Sequence, residues 1–276
     1  MASTDTVSPK TSAPNPMERI IRKRESRWVS LRVQFLSVFG FFALWQIGAR
    51  NLNPILMPTP WLVVQAFGDL LSRGILQKAF MTSLQDLAYG YFLAVIIGLV
   101  LGIVMGRFVT AERILSPFVS FFMATPTMAL VPLIIIWFGF GLTARVFLIA
   151  IVATWPVTIN SAMGIKVLTK LLREVGWAFR LSEPQFIRWV ALPNAVPYIL
   201  AGLRVALGRA VVAMIVAQMT MELTGLGGLV MIYGNAFKTA HLIAGVFTSA
   251  VFAVFLSSVM DIIRDRFFPW IKGISA

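Results

Sequence analysis

Residues 173–197 read REVGWAFRLSEPQFIRWVALPNAVP and lie between two long apolar stretches. The segment carries Arg173, Arg180 and Arg188 together with Glu174 and Glu183. Ser182-Glu183-Pro184-Gln185 predicts a helix start. Ser182 can cap it, Gln185 stands at the third position of a capping box, and Pro184 falls in the first turn, where its missing N–H costs little. The preceding LLREVGWAF also reads as helix, so the segment is helix, turn, helix, ended by Leu192-Pro193. Phe186, Ile187, Trp189 and Val190 crowd it with large apolar side chains. That pattern suits a groove on a soluble partner; a helix lying among lipid headgroups is the other reading.

The surrounding composition sets the class. The chain has 276 residues, 58% of them hydrophobic and 13% charged, against about 25% charged in soluble domains. It reads as an all-α polytopic membrane protein, and the absence of alternating ten-residue strand patterns argues against a barrel. The net charge of +13 fits positive residues gathered in cytoplasmic loops rather than a nucleic-acid partner. With no cysteine and His241 as the lone histidine, disulfides, thiol catalysis and Cys- or His-cluster metal sites are excluded. His241 reads as a loop residue.

Residues 1–32 are polar, with Pro9, Pro14 and Pro16 before a basic run of Arg19, Arg22, Lys23, Arg24 and Arg27. They predict a disordered, basic cytoplasmic tail and no cleavable signal peptide. A first span is expected at Val33–Ala49, and the rest of 33–81 as an outer loop with a surface helix. The core, 82–268, holds five further spans. These are Leu84–Met105, Leu115–Phe138, Thr143–Ile165, Val196–Met221 and Leu242–Ile263, with a charged loop at 166–195 and a C-terminal tail at 269–276. Gly90, Gly98, Gly102 and Gly106 stripe the second span, as in helices that pack closely in lipid. Pro117, Pro126 and Pro132 interrupt the third span and Pro156 the fourth, and such breaks persist where protein or a water-filled cavity covers them. GLGGLVMIYGNAFKTAH reads as a Gly-rich outer loop or re-entrant stretch. Six spans place both termini on one side. The excess of arginine and lysine in the tail and at 107, 113, 166–188 and 264–272, over only Arg50, Arg73, Lys78, Arg145 and Lys238 outside, makes that side the cytoplasm.

The charged segment resembles the EAA loop of bacterial ABC-importer permeases. Pro193 follows Glu174 by 19 positions, as in that motif, and Val190-Ala191-Leu192-Pro193 matches its ending. Val175 and Gly176 stand where the motif has two alanines, and Arg180 where it has glycine. An arginine disfavours a left-handed turn, which predicts a turn of different shape or compensation by Gly176. SLQDLAYGYFLAVIIGLVLGIVMG, ALVPLIIIWFGFG, LPNAVPYILAGLRVALGRA, GLGGLV and RFFPW occur in the family order. Together they are similar to the nitrate/sulfonate/taurine permease family. The resemblance implies a type I importer fold of about six transmembrane helices with a cytoplasmic coupling helix, in the bacterial inner membrane. It implies a homodimer, two ATPase subunits and a periplasmic or lipid-anchored substrate-binding protein. Glu174, Val175, Gly176, Arg180, Leu181, Ser182, Phe186, Leu192 and Pro193 would couple to the ATPase. The chain lacks a Gly-x-x-x-x-Gly-Lys-Ser/Thr loop, so ATP and Mg belong to that partner and this subunit is not an enzyme.

Substrate-pathway candidates concentrate on the fifth span. Arg204, Gly208, Val211, Ile215, Gln218 and Glu222 fall on one helical face, and Arg209 is closer to mid-membrane. Arg204 can instead snorkel toward water, and Arg209 can serve structural pairing. The family usually has Glu-Met where this chain has Gln218-Met219, with Glu222 one turn on. Loss of a carboxylate there would favour an anion, such as nitrate, a sulfonate, taurine or an organic acid, and Gln218→Glu would then weaken uptake. Thr125, Thr127, Trp155 and Asn160 are further candidates on the broken spans, each also open to a packing role. An ion-coupled secondary transporter is the rival reading, and it requires acidic residues inside the spans. Asp86, Glu222 and Asp261 read as lying near span ends. No carboxylate pair or nucleophile–base set supports a membrane enzyme, and broken spans do not suit a passive anchor.

Overall fold

The computed structural model describes residues 16–168, 172, 174, 176 and 178–267. Its described elements are all helical: α1 Pro16–Arg50, α2 Pro60–Ser72, α3 Ile75–Arg107, α4 Val109–Ala124, α5 Thr127–Phe138, α6 Leu142–Lys166, α7 Glu183–Phe186, α8 Leu192–Thr220, α9 Gly225–Asn235 and α10 Thr239–Phe267. A π turn at Ile187–Ala191 joins α7 to α8. The chain divides into two compact units at Pro60.

In the first unit α1 starts at Pro16, so the basic run at 19–27 is helical, where composition predicts disorder. Arginine, lysine and glutamate are good helix formers, and the run continues directly into an apolar helical stretch, Phe35–Arg50. After α1 the chain folds back, and the Trp45 indole N–H donates to the Pro58 carbonyl at 3.0 Å.

In the second unit four helical runs are long and apolar enough to cross a membrane: Ile75–Arg107, Leu142–Lys166, Glu183–Thr220 and Thr239–Arg266. The α4–α5 pair, bent by 104° at Thr125–Pro126, makes a fifth. Pro126 removes a donor at the bend, while Pro117 and Pro132 lie within α4 and α5.

The glycine stripe sets the centre. A Cβ on Gly90 would lie 2.5 Å from the Ile149 Cβ, on Gly98 2.7 Å from the Val157 Cβ, on Gly102 2.5 Å from the Ser161 Cβ, and on Gly106 2.7 Å from the Ile165 Cβ. Both series of numbers rise together, so α3 and α6 run parallel in near backbone contact, the approach that small residues permit in lipid. Gly164 against Ala195 and Tyr198, and Gly202 against Asn160, set α8 antiparallel to α6. Val119 of α4 packs with Met105 and Ala162 near the Arg107 end of α3. Val131 and Ile134 of α5 pack with Ala144, Leu148 and Val216 at the opposite end. The bent pair therefore traverses the bundle.

Three sequence expectations are corrected. Gly225–Asn235, expected as an outer loop or re-entrant stretch, is a helix and so not a plain loop, and Gly227 sits against the Ile215 carbonyl of α8. His241 lies in α10, where its Nε2 is 3.3 Å from Asp69 of α2. Desolvation acts the other way, but bonds from His241 and Arg73 hold the Asp69 carboxyl below the usual carboxylate range. Finally, Leu192-Pro193 does not end a helix. The Leu192 N–H bonds to the Ile187 carbonyl across the π turn, and the widened turn gives Pro193 room where an ordinary ladder would clash with it.

Candidate functional site

One end of the second unit gathers the ends of α3 and α6 and the charged segment. Ser182 caps α7, and the Gln185 side-chain oxygen accepts from both its N–H and its hydroxyl at 2.9 Å. The expected capping box is therefore present. Arg180 adopts φ +50°, the left-handed conformation, and the Leu181 N–H closes the turn on the Gly176 carbonyl at 3.1 Å. The turn thus keeps its left-handed residue without glycine, against the expectation of a different shape. A non-glycine residue there costs about 1 kcal/mol. Arg180→Gly is expected to raise thermal stability by that order while leaving partner binding intact, measured by melting the purified protein and assaying co-purification.

Gly176 explains a departure from the motif. It is buried, and a Cβ on it would lie 2.6 Å from Phe186 Cδ2, so the missing methyl makes room for the Phe186 ring. The Arg107 guanidinium lies over the other part of this arrangement, 5.5 Å from the ring centroid. Arg107 Nε also donates to Glu183 Oε2 at 2.8 Å, and its NH2 group bonds to Oε1. Glu174 is exposed and helical, Leu192 and Pro193 open α8, and Val175 lies outside the described residues. Phe179 and Trp189 leave 75% and 68% of their surface open, and the Arg188 guanidinium is 5.4 Å from the Trp189 ring.

The pathway candidates do not form one open face. Arg204 is exposed and pairs with Asp261 of α10 at 3.1 Å. Gly208 is exposed, whereas Val211 and Gln218 are buried, Gln218 beneath Gly225 and Gly227 of α9. Thr125 donates to the Phe121 carbonyl at 2.7 Å beside the α4–α5 bend, where Thr127 begins α5. Trp155 stacks on Phe122 at 4.7 Å, and its indole N–H is buried without a partner. Asn160 donates to the Pro156 carbonyl at 2.8 Å and packs against Gly202. Arg209 donates to the Met123 sulfur at 3.3 Å, and no carboxylate among the described residues pairs with it.

The opposite end holds a network that the sequence reading missed. Arg145 Nε donates to Asp86 Oδ2 at 2.8 Å and NH2 to Oδ1 at 3.2 Å, while NH1 bonds to Glu222. Gln218 Nε2 donates to Asp86 Oδ2 at 2.8 Å, and its Oε1 accepts from Ser83 at 2.9 Å and from the Gly227 N–H at 3.1 Å. Asp86, Arg145 and Gln218 are all buried. Arg145 is therefore not an outer-loop charge, and Asp86 is not a solvated span end. Gly225, at φ +60°, brings its backbone so close that a Cβ would lie 2.4 Å from Gln218 Nε2. Gln218 thus fills a packing centre where α3, α6, α8 and α9 meet. The signal available in the sequence was a single arginine and a single aspartate near the outer ends of two apolar spans.

Residues 94–273 match the family model described as binding-protein-dependent transport system inner membrane component. The chain belongs to that family. The permease is similar to SsuC of Bacillus subtilis (strain 168), named for aliphatic sulfonate transport, at 30% identity over 95% of this chain and 94% of that one. It is 29% identical to the taurine transport system permease protein TauC of Escherichia coli, over 89% of this chain and 91% of that one. With the bicarbonate transport system permease protein CmpB of Synechocystis it shares 27% identity over 97% and 95% of the two chains. A solved chain of the MetNI methionine ABC transporter superposes with a TM-score of 0.60 at 20% identity, covering 75% of this permease and 97% of that chain. The fold is therefore that of ABC-importer permeases, and the protein is a multi-pass membrane subunit of such an importer.

Proposed function

We propose that the permease works as one of two identical, non-catalytic copies that together form the translocation pathway for a small anion. Two ATPase subunits drive it, with ATP and Mg bound on them, and a periplasmic or lipid-anchored binding protein delivers the solute. The observation that carries the coupling part is the charged end of the bundle. There a capped helix-turn-helix presents Phe179 and Trp189 outward beside Arg188. Exposed aromatics flanked by charge suit a groove on a soluble partner. Arg107 and Lys166 close the helices at this end, and the positive-inside rule supports a cytoplasmic position for it.

The anion follows from Arg209. An arginine far inside an apolar helix faces a partner or a pathway, and among the described residues Arg209 donates only to a thioether sulfur. It is available to a solute carboxylate, sulfonate, nitrate or bicarbonate. The relatives named for sulfonates, taurine and bicarbonate support this class. Gln218 is buried and bonded at both its Nε2 and its Oε1, and does not enter the anion argument. The test is uptake of radiolabelled taurine, nitrate, bicarbonate and an alkanesulfonate by the complex in proteoliposomes. Arg209→Ala is expected to lower uptake of the transported probe at least about tenfold, the worth of one charge-assisted bond, with Arg209→Lys intermediate. Wild-type uptake by Arg209→Ala would remove Arg209 from the pathway.

A further inference from the structure

We infer that Arg107 is the positioning residue that fastens the coupling segment to α3, so that a displacement of the segment reaches the α3–α6 pair; the inference rests on the coupling reading above. Arg107 is the last residue of α3. It grips Glu183, the first residue of α7, through two N–H groups on two carboxylate oxygens. A two-pronged pair fixes direction as well as distance. The same guanidinium lies over the Phe186 ring, and that ring occupies the space left by Gly176. Phe186 therefore touches both the end of α3 and the helix before the turn.

The segment also packs on the bundle through apolar contacts, Phe186, Val190 and Ala191 joining Ile165, Leu168 and Ala195. A cavity of about 350 Å³ lies beside this contact, bounded by Gly106, Arg107, Glu112, Lys166, Gly176 and Phe186. The apolar contacts hold the segment against the bundle without fixing direction, and the two-pronged Arg107–Glu183 pair supplies direction at the end of α3. The Arg107 and Glu183 side chains are 35% and 58% exposed, so their pair contributes little to stability. Its consequence is directional. Because Gly98, Gly102 and Gly106 seat α3 against α6 at backbone distance, a force on Arg107 moves both helices together.

The test uses the whole complex in proteoliposomes and reads two quantities, ATP hydrolysed and solute taken up, with taurine, nitrate and bicarbonate as probes. Arg107→Ala and Gly176→Ala are expected to retain the ATPase and hydrolyse ATP while solute moved per ATP falls about tenfold. The reversed pair, Arg107→Glu with Glu183→Arg, is expected to recover most of the ratio. An intact Arg107→Ala complex with the wild-type ratio would overturn the inference and leave the coupling reading standing. If Arg107→Ala fails to assemble, the reversed pair decides: recovery of the ratio supports the clamp, and an assembled but uncoupled reversed pair overturns it. A wild-type chain that never associates with an ATPase would overturn the coupling reading and the clamp with it.

Discussion

Arg145→Leu is expected to destabilise the permease by about 3–5 kcal/mol, because it strands a buried carboxylate. Asp86 is 1% exposed and receives two bonds from Arg145. Once these are removed, Gln218 is its one remaining side-chain donor. In a thermal melt of purified protein in mild detergent the midpoint should fall on the order of 10 °C. Asp86→Asn should cost less, since it keeps an acceptor for Gln218 and leaves Arg145 bonded to Glu222. Gln218→Glu acts in the same place. It sets a second carboxylate where Gln218 now donates to Asp86, and the lost bond and like-charge repulsion should lower the midpoint as well. A wild-type midpoint for Gln218→Glu or for Arg145→Leu would show that the network does not hold these helices.

Gly102→Leu is expected to abolish the folded permease. Its Cβ alone would sit 2.5 Å from the Ser161 Cβ and 2.8 Å from the Thr158 carbonyl oxygen. The obstacle is partly backbone, so a rotamer change cannot relieve it, and the helices must separate along the stripe. Overpacking a core costs about 1–3 kcal/mol where neighbours can yield, and a parallel pair seated at backbone distance yields least. Gly98→Leu should behave alike, with Val157 and the Thr154 carbonyl in the way. Gly68→Leu on α2, where nothing lies within 4 Å of an added Cβ, is the control. Size-exclusion chromatography of detergent extracts is the measurement. A monodisperse Gly102→Leu peak at wild-type yield would contradict the packing.

The parts legible in the sequence were those written in local spacing. Glycines at 90, 98, 102 and 106 share one helical face, and the structure seats all four on α6. Ser182 and Gln185, three positions apart, form the cap they encode. The parts hidden from sequence depend on partners distant along the chain. Asp86 and Arg145 are 59 positions apart, and each taken singly looks like a charge at a span end. Arg204 finds Asp261 on another helix. The helical face that carries Gln218 is legible, but its burial depends on Gly225 and Gly227 of α9 closing over it. Pro193 looked like a helix end because a π turn has no sequence rule as clear as a proline's. Gly176 became intelligible only with the Phe186 ring beside it.

The most direct test of the central claim is isolation of the tagged permease from its own host in mild detergent, with mass spectrometry of the intact assembly and of everything that accompanies it. The account predicts two permease copies bound to two ATPase subunits, weakened when Trp189→Asp removes an exposed aromatic from the coupling segment. A permease that arrives without an ATPase, and that takes up solute on a proton gradient after reconstitution, would contradict it.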